Sequence, residues 1–271
     1  MKTISKLALS GLFAFASTAA SAAVIDGWQL DTTGAAASYS SLTTNIGHLN
    51  LSGGIGRIHQ SFGADGILNA GDAFTEFGEI FSISVTKENC VGSCDAGFPV
   101  AFTSPLAGLR LAFTGLAGNV VSVDGSGNVI YDFTAGVGNI AIEATSNGTT
   151  FTTVANLTPT NPSGGSLSQF IGGIQANGTT DMLNLISSSG YLAGLFRDKN
   201  GNALDINGLK AAVHTQNTLT ASNISCSTTA CDLTVNSDGS FNLVPEPGSI
   251  ALIGAGLLAL VGFNRRRSMK S

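Results

Sequence analysis

Apolar and polar residues alternate in short runs along most of the chain, and Gly, Asn and Asp divide the runs. From Phe81 to Thr86 the alternation is regular, with the period of a half-buried strand. Asn119 to Val123 leads through Asp124-Gly125-Ser126-Gly127 into Asn128 to Phe133. Ile140 to Ala144 leads through Ser146-Asn147-Gly148 into Thr149 to Val154. Val and Ile favour strands, while Gly and Asn accept the positive φ that tight hairpin turns demand. The pattern predicts a mainly β, antiparallel, sandwich-like domain with one or two short helices. The helical stretches are Thr180 to Ser188, with Asp181 near its start, and Leu209 to Gln216. Thr158 to Ser168 carries Pro159, Pro162, Gly164 and Gly165 and reads as a loop or weak boundary between lobes. No repeat at a solenoid or propeller period is visible.

The two ends follow another pattern. Lys2 and Lys6 precede an apolar run from Leu7 to Ala16, and small residues including Ala20-Ser21-Ala22 follow it. This is the order of a secretory signal peptide. As a helix the run reaches roughly 15 Å, half of a bilayer core of about 30 Å, so it is too short for a permanent anchor. Ala20 and Ala22 are the small residues a signal peptidase accepts, and cleavage after Ala22 leaves Ala23 as the first mature residue. At the other end stands Val244-Pro245-Glu246-Pro247-Gly248, then the apolar run Ile250 to Phe263, then Arg265-Arg266-Arg267. Two prolines two apart forbid helix and fix an extended stretch. The apolar run reads as a transmembrane helix, and the arginines hold its end in the cytoplasm, which puts the prolines and all that precedes them outside. The organisation read from the sequence is a signal peptide over 1–22, a secreted domain over 23–243 and a C-terminal tail over 244–271.

Charge then narrows the partners. Of 12 Lys and Arg, six lie in the terminal segments, whereas among 17 Asp and Glu only Glu246 does. The stretch between carries six basic residues against sixteen acids, a net charge of −10. Such a domain has no clustered Lys and Arg to replace phosphate counterions, which excludes nucleic acid as a partner.

Candidate chemistry is sparse. The four cysteines fall as Cys90-x3-Cys94 and Cys226-x4-Cys231; in an exported protein an even count points to disulfides, and close spacing favours two local bridges among three connectivities. No His lies near either pair, so zinc is disfavoured. His48, His59 and His214 belong to no catalytic motif and read as surface or hydrogen-bonded residues. Gly136-Val137-Gly138 matches part of a dinucleotide glycine pattern, but without a following helix it reads as a β turn. The acids Asp65, Asp72, Glu76 and Glu79 cluster in the segment Gly63 to Gly78; paired carboxylates there are candidates for glycoside cleavage or calcium binding. Asp198-Lys199-Asn200-Gly201-Asn202 spaces oxygen ligands as calcium loops do, but Ala203 and Leu209 stand where an EF-hand needs Gly and a bidentate acid. The plain reading of both segments is a solvated turn. No cofactor, catalytic residue or metal ligand is assigned.

The residues from Val244 to Ser271 closely resemble the PEP-CTERM sorting tail of Gram-negative, exopolysaccharide-producing bacteria: Pro245-Glu246-Pro247, a span with Gly254, Gly256 and Gly262, and the arginine cluster, in order. The resemblance implies recognition by an exosortase, a membrane-embedded cysteine transpeptidase-like enzyme that cuts near the proline motif. A looser resemblance joins Asp26-Gly27-Trp28-Gln29-Leu30-Asp31 and Gly71-Asp72-Ala73-Phe74-Thr75-Glu76-Phe77-Gly78 to the flocculation-associated branch. It implies a non-enzymatic role in cell aggregation or biofilm through extracellular polysaccharide, transiently anchored at the cell surface. The competing expectation is a secreted polysaccharide-binding or polysaccharide-active protein using the acids.

Overall fold

The alternating runs build strands throughout the computed structural model, which describes residues 24–34, 42–63, 65–88, 108–145, 147–168 and 175–244. These residues belong to one compact unit, Val24–Val244. In chain order the strands are β1 (Trp28–Asp31), β2 (Leu42–Ser61), β3 (Ala73–Lys87), β4 (Gly108–Val123), β5 (Val129–Phe133), β6 (Asn139–Thr145), β7 (Phe151–Ser168), β8 (Gln175–Ser187), β9 (Phe196–Arg197), β10 (Lys210–Thr220), β11 (Ile224–Cys226) and β12 (Ala230–Val244). Every ladder is antiparallel, as the hairpin chemistry predicts. Asp124 explains one of those hairpins: its carboxylate accepts from the Ser126 and Asn128 backbone N–H groups at 2.8 and 2.9 Å.

The sheet closes on itself. β2 to β4 form a meander; β5 and β6 lie end to end between β4 and β7; β7, β8, β10 and β12 continue it. β12 then pairs with β10 on one side and β2 on the other. The two facing layers of a sandwich are here one sheet bent into an eight-position barrel, a size whose interior is filled by side chains or holds one small ligand. Where β4 passes from β6 to β5, Gly115 takes a φ of 62°, which a side chain would resist.

Three sequence expectations are corrected. Thr180 to Ser188 and Leu209 to Gln216 are not helices; they lie almost wholly in β8 and β10. In β8 the inward residues are Thr180, Met182, Asn184 and Ile186, so polar and apolar residues are mixed on one face. Met182, Leu185 and Ile186 thereby mimic a helical stripe, the ambiguity of any short apolar run. In β10 the helix formers Lys210, Ala211 and Ala212 yield to pairing on both edges, tertiary context overriding a weak propensity. Among the described residues the only helix is a 3-10 turn, Ala221–Asn223.

Thr158 to Ser168 is likewise no loop but the second half of β7. Pro162 is tolerated because the register slips between Thr160 and Ser163, a bulge, which is where a strand admits Pro. The Ser163 hydroxyl fills the gap in the ladder by accepting from the Leu183 N–H at 2.9 Å.

One end of the barrel is sealed by β1, β9 and the residues between β8 and β10. Trp28 is completely buried, with ring centroids 5.8 Å from Phe196 and 6.4 Å from Phe241. The Arg197 guanidinium grips Asp31 at 2.7 Å. Burial opposes ionisation of Asp31, but the bonds from Thr33 and Arg197 outweigh it and hold its carboxyl below the ordinary range. Cys226 and Cys231 form a disulfide between β11 and β12.

Candidate functional site

The acids that cluster in sequence separate in space. Asp65 and Asp72 turn onto the connection between β2 and β3: Asn69 donates its side-chain amide to Asp65 at 2.8 Å and its backbone N–H to Asp72 at 2.7 Å. Glu79, three residues beyond Glu76 in the alternating strand β3, is on the outer face. There it shares Arg110 with Glu143, at 2.8 and 2.7 Å, and the guanidinium covers the Phe151 ring at 3.5 Å. Glu76 points the other way, into the barrel.

The remaining candidates are local. Asp198 accepts from the Asn200 and Asn202 backbone N–H groups, both at 2.8 Å, and its bonds with Asn202 hold its carboxyl below the ordinary range. This makes Asp198 to Asn202 a turn whose oxygens serve the turn itself. His59 and His214 pair with Asp232 and Asp181 across neighbouring strands, each at 2.7 Å, and His48 bonds Asn50 at 3.0 Å. Gly136 and Gly138 both have positive φ in the turn between β5 and β6. Among the described residues no three His, Cys, Asp or Glu are grouped to hold a metal ion.

What the strands do bring together is a polar band inside the lumen. Tyr131 on β5 bonds the Thr180 hydroxyl on β8 at 2.6 Å. Asn217 on β10 donates to the same Thr180 oxygen at 2.7 Å. Asn217 Oδ1 in turn accepts from Ser237 on β12 at 2.7 Å and from Thr215 at 3.2 Å. The chain thus crosses the interior from β5 to β12, with its members satisfying one another. Glu76 on β3 faces the same space and receives no hydrogen bond or ion pair from the described residues.

Two cavities meet at this band, and Glu76, Thr180 and Asn217 line both. One runs toward Leu68, Val120 and Val129, the other toward Leu111, Phe113 and Ile140. Each offers about 50 Å³ to the centre of a water-sized sphere, room for about four waters. Burial pushes the Glu76 carboxyl from 4.5 up to about 7. Burial also pushes the Tyr131 phenol upward, and the neighbouring Glu76 charge adds to the shift.

A stability prediction follows from linkage. Between pH 4.5 and 7 the folded chain keeps a proton on Glu76 that the unfolded chain has released, so stability falls as pH rises through this window. The full effect is on the order of 3 kcal/mol, reached above pH 7. Glu76→Gln removes the charge while keeping the shape, so the variant gains most over the wild type at pH 8 and little at pH 5. Urea unfolding at the two pH values measures it; an equal difference at both would mean that Glu76 titrates as an ordinary surface acid.

The signals at the ends, Ala20 and Ala22 for signal cleavage, Pro245, Glu246 and Pro247 for sorting, and Arg265, Arg266 and Arg267 for orientation, lie outside the described residues, as do Cys90 and Cys94. Among the described residues no helix is long and apolar enough to cross a membrane. Residues 243–267 match the family model of the PEP-CTERM protein-sorting motif. No curated protein and no solved structure matches the chain.

Proposed function

From the premise that this is an exported protein, processed by an exosortase at its PEP-CTERM motif and sorted through the membrane to the cell surface, we propose that the barrel is a non-enzymatic surface or matrix protein. It supports flocculation or biofilm formation in a Gram-negative bacterium by associating with extracellular polysaccharide. Signal peptidase removes Met1 to Ala22, and the C-terminal helix anchors the chain until the exosortase acts. The observation that carries the reading is the sorting motif at residues 243–267, joined to a body whose acids do not converge.

That divergence is why a polysaccharide-active protein is the weaker reading. Glycoside cleavage uses two carboxyl groups flanking one bond. Asp72 bonds the Asn69 backbone in an outer connection, whereas Glu76 lines the lumen. Deleting the gene in the producing strain is expected to reduce sedimentation of the cells and to alter the polysaccharide held in the matrix. Unchanged settling together with unchanged matrix composition overturns the proposal.

A further inference from the structure

Glu76 is the one carboxylate among the described residues that lines the two cavities of the lumen. The hydroxyls and amide of Tyr131, Thr180, Asn217 and Ser237 are consumed by one another. The Glu76 carboxyl borders both cavities and receives no hydrogen bond or ion pair from the described residues, although carboxylates inside a fold are ordinarily paired. Among the described residues no Lys, Arg or His lines either cavity. Tyr131 is the only other titratable side chain among the lining residues. The charged groups of the strands around Glu76 are engaged elsewhere: Arg57 lies against Phe77, Arg110 between Glu79 and Glu143, and His214 on Asp181. The other walls are apolar, with Phe74, Val120, Leu233 and Val235 among them.

We propose that the barrel lumen is a binding site for a small apolar amine, whose ammonium pairs with the Glu76 carboxylate while its hydrocarbon part fills the adjoining cavity. Folding has already moved the carboxyl from bulk water into a confined, mostly apolar space, so part of its desolvation precedes binding, unlike a pair assembled from two solvated ions. The acidic surroundings favour a cation over an anion from the first encounter. Size is bounded by the space: about four waters, at about 30 Å³ each, equal roughly the volume of a six- to eight-atom hydrocarbon group. Leu68 is the lining side chain that comes from the connection between β2 and β3 instead of from a strand.

The amine must find Glu76 ionised. With burial pushing the Glu76 carboxyl up to about 7, binding takes up no proton above that pH and must expel one below it. Affinity therefore drops about tenfold from pH 8 to pH 6 while the amine itself stays protonated.

The test is calorimetric titration of the full chain in detergent with benzylamine, benzyl alcohol and toluene, at pH 6 and pH 8. Benzylamine is expected to bind the wild type, about tenfold more tightly at pH 8, and Glu76→Gln is expected to lose at least that factor and all pH dependence. Because the detergent is common to both proteins, their difference isolates the lumen. Benzyl alcohol or toluene binding as well as benzylamine, with no response to Glu76→Gln, overturns the pairing. No binding of any of the three to a folded wild type overturns the site itself. Neither result touches the surface role, which is read from cell settling.

Discussion

Trp28→Ala is expected to cost the fold about 3–5 kcal/mol, the range for deleting a large buried aromatic. Trp28 has no exposed surface and fills the sealed end of the barrel by meeting Phe196 edge-on and Phe241 at a tilt. Its removal leaves a void that the surrounding strands cannot collapse into, because β1 is fixed by ladders to both β2 and β9. Set against a total stability of about 5–15 kcal/mol, the loss brings a marginal domain close to unfolding. Trp28→Phe retains most of the packing and is expected to lose far less. Urea midpoints followed by circular dichroism measure both, since the single tryptophan is itself the mutated group. A loss below about 1 kcal/mol for the alanine variant would mean that β1 does not seal the barrel in solution.

Pro245→Ala combined with Pro247→Ala is expected to leave export intact and abolish release. An anchor is defined by apolar length and flanking charge, for which the prolines are replaceable. A motif read by an enzyme is different: fixed φ angles at two positions reduce the entropy lost on entering an active-site groove. The double variant should therefore accumulate as full-length precursor in the membrane fraction. Replacing Arg265, Arg266 and Arg267 with Ser should instead weaken orientation and retention, because the positive charge fixes the side on which the terminus stays. Blots of membrane and released fractions in a strain with the sorting enzyme separate the two. Release of a tail-less product from the double proline variant would show that the motif is not read.

How much of this was legible depended on whether a signal was local. The hairpins at Asp124 to Asn128 and around Asn147-Gly148 follow from residues within a few positions of one another, and they form as the turn chemistry requires. The strand character of β8 and β10 was hidden because their inward faces mix Thr180, Asn184 and Asn217 with apolar residues, for a lumen that is partly polar. Closure was illegible for another reason. The pairing of β12 with β2 joins Phe241 to Leu49 and Ala230 to Ser61, and no short-range pattern encodes a partner so distant. Glu76 stood out as an acid, yet Phe74 inside and Phe77 outside blur the period of two that would have assigned it to the interior.

β12 is also the last strand to leave the membrane and the one that completes the ring. For an exported chain this sets an order in time. β2 arrives outside early, and one of its edges stays open until Ala230–Val244 has crossed. Long-range closure of this kind is slow, and an open edge invites pairing with other chains. The sorting motif, residues 243–267, begins where β12 ends, so processing there acts next to the strand that must find β2. A cut slower than closure releases a finished barrel; a faster one releases a chain with an exposed edge. The address and the closing strand are neighbours in the chain, so the order of cutting and closure decides whether the exported protein carries an open edge.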